Sequence, residues 1–157
     1  MRNWRLWLLP SMVVILLDQF TKDWIVQAFS FGESRPVTSF FNLVLAHNSG
    51  AAFSFLAGAG GWQRLFFIVV AGVASGVILH LLRKHGRETL FSLALSLVLG
   101  GALGNLSDRV RLGYVVDFLD FFYGNYHFAA FNVADMAISC GVTLLVWDSF
   151  RKPAVHK

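Results

Sequence analysis

Three stretches of this sequence, residues 65–82, 89–107 and 129–147, contain between them one charged side chain, Asp135. A helix needs about 20 predominantly apolar residues to cross a bilayer, and each stretch comes close to that length. The chain of 157 residues is 56% hydrophobic and only 14% charged. A soluble domain carries about a quarter of its residues charged, so there is too little polar surface here to keep the chain in water. The fold class is therefore all-α integral membrane. A charged Asp near a bilayer centre costs roughly 2.5–3.5 kcal/mol on insertion scales, which makes Asp135 a functional candidate.

A fourth span lies at residues 6–29, although Asp18, Lys22 and Asp23 occupy its second half. Arg2 and Arg5 followed by "LWLLPSMVVILL" have the outline of a signal peptide. The next residues, "DQFTKDW", offer no small-residue cleavage pattern, so the stretch reads as an uncleaved first helix. Cytoplasmic lysines and arginines set orientation. With the N-terminus inside, the inner side holds Arg2, Arg5, Arg83, Lys84, Arg87, Arg151, Lys152 and Lys157, and the outer side only Arg35, Arg64, Arg109 and Arg111. Both termini are then cytoplasmic.

The expected architecture is a four-helix transmembrane bundle, a single membrane-embedded domain over residues 1–157. Its helices cover about 6–29, 64–82, 89–107 and 129–148, with outer loops at about 30–63 and 108–128. The first outer loop, rich in β-branched and aromatic residues in "RPVTSFFNLVLAHN", predicts a small strand-containing element on the extracytoplasmic side. Gly72 and Gly76, and Gly100 and Gly104, form two GxxxG pairs that predict close helix approach. The net charge of +4 sits at span ends rather than in a basic patch, which argues against nucleic acid. The single cysteine, Cys140, reads as a packing residue.

The polar groups converge in depth. Asp18, Lys22 and Asp23 lie in the outer half of the first span, and Asn105, Asp108 and Arg109 at the outer end of the third. Asp117 and Asp120 follow in the second outer loop, and Asn132 and Asp135 open the fourth span from the same side. An ion conduit needs polar groups through the whole bilayer, so a site at the outer leaflet fits better. There is no HExxH pattern, the five histidines are scattered, and no serine has an obvious base. His47 reads as structural. Two carboxylates in a low-dielectric site share one proton, the arrangement of an aspartic protease. Asp135 is one member, and spacing leaves Asp117, Asp120, Asp108 or Asp18 as its partner. Of these, Asp108 beside Arg109 suggests a local ion pair or cap, and Asp18 and Lys22, four apart, a pair on one helical face.

Five blocks in order, "DQFTK" (18–22), "NSGAAFSF" (48–55), "GNLSDR" (104–109), "VVDF" (115–118) and "FNVAD" (131–135), resemble the bacterial lipoprotein signal peptidases (signal peptidase II), aspartic proteases of the cytoplasmic membrane. The resemblance implies that Asp117 and Asp135 form the catalytic dyad. It implies that Asn48, Asn105, Arg109 and Asn132 line the site and bind substrate, with Asp18, Lys22, Gly50, Gly104 and Asp108 in support. The substrate it implies is a diacylglyceryl-modified prolipoprotein, cut just before the lipid-bearing cysteine. It further implies no metal or organic cofactor, no obligatory protein partner, membrane lipids as surroundings, an inner-membrane location, and sensitivity to globomycin-type inhibitors. The apolar first outer loop, with Phe53 and Phe55, is expected to cover the site as a lid.

Overall fold

The structure, a computed structural model, describes residues 4–50 and 61–151. Phe53 and Phe55, and the lid expected of them, lie outside the described residues. Four long helices dominate: α1 (Leu8–Ala28), α2 (Trp62–His85), α3 (Thr89–Arg111) and α4 (Val133–Arg151). A short 3-10 turn, Trp4–Trp7, leads into α1. Pro10 falls in the first turn of α1, where its missing N–H costs nothing. At the other end of α1, Arg35 donates to the orphan carbonyl of Ala28 at 2.8 Å. The last turn of α2 carries Arg83 and Lys84, cations at the negative end of the helix dipole.

Among the described residues three helices, α2, α3 and α4, are long and apolar enough to cross a membrane. The outward faces agree with a lipid environment: Leu9, Met12, Val13, Leu16 and Phe20 of α1 and Leu65, Val69, Val73 and Val77 of α2 are all exposed. An apolar surface of that extent does not persist in water.

Helix α3 is the centre of the bundle and packs against the other three. Its residues are small where the neighbours come closest. A Cβ on Gly100 would stand 2.8 Å from the Ser11 carbonyl oxygen, and one on Gly101 would collide with the Ala134 carbonyl. The GxxxG pair of α2 behaves differently and corrects the expectation: a Cβ on Gly72 or Gly76 would meet nothing within 4 Å. Helix α2 packs on α3 through Ile78 and Leu82 instead, which leaves its glycine face outward.

The strand-containing element is a four-stranded antiparallel sheet in the order β1 (Ser34–Pro36), β2 (Phe41–Asn48), β3 (Val115–Tyr123), β4 (Tyr126–His127). The sequence expectation confined strands to the first outer loop. In the structure both outer loops contribute, because the second edge of β2 needs a hydrogen-bonding partner and the "VVDFLDFF" run supplies it. The β2–β3 register pairs Ala46 with Asp117 and Asn48 with Val115. Val116 and Phe118 join Ile25, Phe29 and Leu45 in one apolar cluster, which fixes the sheet to the C-terminal end of α1. A second cluster, Trp7, Ile78, Leu82, Leu95 and Leu99, holds the opposite end of the bundle.

Candidate active site

Asp135 stands three residues past Asn132, at the start of α4. The Asn132 side-chain oxygen accepts the Asp135 N–H at 3.0 Å, and an Asp135 carboxylate oxygen accepts the Asn132 N–H at 3.3 Å. This reciprocal cap satisfies two backbone donors and fixes the rotamer of Asp135 at the positive end of a helix. The signal for it, Asn followed three residues later by Asp ahead of an apolar run, is legible in "FNVAD".

The same asparagine reaches the other acid. Asn132 Nδ2 donates to Asp117 Oδ1 at 2.7 Å, so one fully buried side chain holds the two aspartates together. Asn48 Nδ2 donates to Asp117 Oδ2 at 3.0 Å, and Asn105 Nδ2 donates to Asp135 Oδ1 at 2.7 Å. Each carboxylate therefore has amide donors and an open flank toward a cavity. Asp117 lies on β3, where Val115 to Phe118 are all buried. Burial first, and the nearby Asp135 charge second, push its carboxyl up to about 7, against the opposing amide bonds from Asn48 and Asn132 and the positive charge of Lys22. That value places a proton gain and loss at neutral pH.

The cavity has a volume of about 790 Å³ and is polar at one end only. Asn48, Asn105, Arg109, Asp117 and Asp135 form that end; Phe128 and Phe131 and, along α4, Met136, Ile138, Ser139 and Cys140 continue it, and Cys140 is exposed rather than buried packing. Such a space takes an apolar ligand with one polar end at the acids.

The supporting residues sit just behind the cavity. Lys22 Nζ is 2.7 Å from Asp18 and 2.9 Å from Asp108. The i,i+4 pair expected between Asp18 and Lys22 is thus present. The local pair expected between Asp108 and Arg109 is not. Asp108 points toward α1, where the sealed ammonium is the stronger partner, and Arg109 turns the other way. Arg109 donates to the Gly50 carbonyl at 2.8 Å and lies over the Phe67 ring at 4.9 Å. Gly50 in turn donates its N–H to Asn48 Oδ1 at 3.0 Å, closing the turn that aims Asn48 at Asp117. Gly104 is required by contact, since a Cβ there would lie 2.6 Å from Asp18 Oδ2.

The other sequence candidates fall outside. Asp120 is buried but engaged by Asn42 Nδ2 at 2.9 Å and by the His127 ring at 2.9 Å. His47 is stacked between Phe31 and Tyr114. Asp23 is exposed. Among the described residues no group of His, Cys, Asp or Glu side chains is arranged to hold a metal ion. One participant escaped the sequence reading: Gln19 Nε2 donates to Asp108 Oδ1 at 2.9 Å and lies 3.2 Å from Asp18 Oδ2. Its place between two family residues in "DQFTK" was the available signal.

The fold is one already seen in bacterial membrane enzymes. One solved structure of that description matches with a TM-score of 0.86 at 31% identity, over 96% of this chain and 91% of the other. A second matches with a TM-score of 0.80 at 32% identity, over 91% of each chain. The sequence comparisons narrow this class to one family. Residues 11–151 match the family described as Signal peptidase (SPase) II. A lipoprotein signal peptidase of Cupriavidus taiwanensis is 57% identical over 96% of this chain and 86% of its own length, and that of Cupriavidus necator is 56% identical over the same shares. The chain belongs to the signal peptidase II family of membrane proteases.

Proposed function

We propose that this protein is an aspartic endopeptidase that removes the signal peptide from diacylglyceryl-modified prolipoproteins, with Asp117 and Asp135 as its catalytic dyad. The observation that carries the reading is the shared asparagine: Asn132 binds Asp117 through its side chain and caps Asp135 through both side chain and backbone, at the polar end of an apolar cavity. The names of the relatives supply the substrate class. The cavity running along α4 suits the substrate's lipid, with the scissile bond at the acids.

The two carboxyls share one proton. The ionised one takes a proton from water, the water oxygen attacks the scissile carbonyl, and the protonated one gives its proton to the carbonyl oxygen. Collapse of the tetrahedral intermediate returns a proton to the leaving amine. No acyl-enzyme forms. Asn48, Asn105 and Asn132 hold the acids through the cycle, and Arg109 and the cavity-facing edges of Asn48 and Asn105 meet the substrate backbone. Cyclic-peptide inhibitors of the globomycin type would compete for the same space.

In this reading all four helices cross the bacterial inner membrane as one domain, with both termini cytoplasmic and the dyad near the outer leaflet. Helix α1 qualifies as a span because its Asp18 and Lys22 are sealed inside the bundle, 0% and 2% exposed, and so add no charge to its lipid face.

The test is gel-shift cleavage of a diacylglyceryl-modified prolipoprotein in detergent. Wild type is expected to cleave it, and Asp117→Asn and Asp135→Asn to lose turnover about 1,000-fold or more while keeping a single cooperative thermal transition. Near-wild-type cleavage by either folded variant would overturn the dyad.

A further inference from the structure

Lys22, Asp18 and Asp108 are buried charges outside the cavity lining, so none of them touches substrate. Lys22 Nζ donates to Asp18 Oδ2 at 2.7 Å and to Asn105 Oδ1 at 2.9 Å, and forms an ion pair with Asp108 Oδ2 at 2.9 Å. What those acceptors hold in turn is informative. Asp18 Oδ1 accepts the N–H of Ala134, the residue before Asp135, at 2.9 Å. Asp108 Oδ2 accepts the N–H of Val116, the residue before Asp117, at 3.3 Å. Asn105 donates directly to Asp135.

We propose that Lys22 is the positioning residue of the dyad, one buried cation whose two hydrogen bonds and one ion pair set the backbone and side-chain placement of Asp117 and Asp135 together. The inference rests on the dyad reading and deepens it. The two aspartates come from different elements, a strand and a helix, which the Leu119–Phe131 backbone pairing and Asn132 join on one side only. Lys22 links them from behind: β3 is tied through Asp108, α4 through Asp18, and the Asp135 carboxylate through Asn105. Gln19 and the bare face of Gly104 keep the two supporting carboxylates in place. A buried ion network of this kind is often no more stable than a well-packed apolar cluster of similar volume. Its value here is geometric, and misplacing a reacting group by about 1 Å can cost about 100-fold in rate.

The test uses Lys22→Met and the charge-balanced Lys22→Met/Asp108→Asn, in which the introduced amide oxygen still accepts the Val116 N–H. Steady-state cleavage of the diacylglyceryl-modified prolipoprotein gives kcat and KM separately, and thermal shift reports folding. The expected result is at least one folded variant whose kcat falls about 100-fold with KM within about threefold of wild type. A folded variant with kcat within about threefold of wild type overturns the inference, as does a rise confined to KM. Failure of both variants to fold also overturns it, because the network would then serve stability. Asp117→Asn and Asp135→Asn are run alongside. If they cleave, the dyad reading falls; if they are inactive while the folded Lys22 variants are fully active, the positioning role alone falls.

Discussion

Helices α1 and α3 meet twice along their length, in chemically opposite ways. At the inner level the contacts are neutral. Ser11 Oγ donates to the Ser96 carbonyl at 2.8 Å, Ser96 Oγ lies 2.6 Å from the Trp7 carbonyl, and Trp7 Nε1 donates to the Gly86 carbonyl at 2.9 Å. At the outer level the same two helices enclose Asp18, Lys22, Asp108 and Gln19, a network with formal charges. The neutral contacts show that small residues and hydroxyls are enough to bind these helices. The outer charges sit where two backbone segments carrying acids must be held in register.

The largest effect that would sharpen this contrast comes from Asn132, where both acids converge. Asn132→Ala removes the cap of α4 and the amide donor to Asp117. Turnover is expected to fall about 100-fold or more. The melting temperature should also drop, since losing such a cap costs about 1 kcal/mol. Unchanged cleavage by a folded Asn132→Ala would break the comparison at its centre.

Next come two glycines that look alike in sequence. Gly104→Ala drives a methyl into the Asp18 carboxylate and is expected to lower both turnover and melting temperature. Gly76→Ala meets open space and should change neither. Equal effects at the two positions would show that Gly104 serves general helix packing rather than the charged network.

Ionisation of Asp117 gives a smaller effect with a definite sign. Its carboxyl titrates at 3.8 in the unfolded chain and at about 7 in the folded one. Between those values the folded protein keeps a proton that the unfolded chain has lost, so stability is greatest at the acid end, falls as pH rises, and levels off above about 7. Asp117→Asn removes that loss. Its melting temperature should rise relative to wild type as pH goes from about 4 to about 8 in a thermal-shift series, and a pH-independent difference would contradict the burial assigned to this acid.

The smallest effect belongs to the inner level. Ser96→Ala is expected to cost about 1 kcal/mol of stability. kcat and KM should remain at wild-type values. A loss of turnover there would mean that the two halves of the α1–α3 interface are coupled, and the division drawn above would fail.

Much of this was legible without coordinates. Long apolar runs announce themselves because a bilayer sets their length, and ordered motifs such as "GNLSDR" and "FNVAD" point to the family. The clustering of acids at one end of the bundle followed from the alternation of spans, since polar groups at alternate ends of successive helices meet on one side. The sequence misled where partners are long-range. Asp108 stands beside Arg109 in the chain, yet it pairs with Lys22 and accepts the Val116 N–H, while Arg109 turns into the cavity wall toward the Gly50 carbonyl and the Phe67 ring. Strand pairing between the two outer loops was equally hidden: a β-bond joins residues far apart, such as Ala46 and Asp117, and leaves no local trace.

Composition, periodicity and motif order are properties of the chain, and they were enough to set the solvent of the fold, the roster of polar residues at the outer level, and the family. Folding in three dimensions added what no linear pattern carries: which amide holds which acid, that Asn132 serves both, that α2 turns its glycines outward, and that one lysine stands behind the whole site. Those are matters of distance between segments far apart in the chain, and a hydrogen bond is lost within a few tenths of an ångström beyond its preferred length.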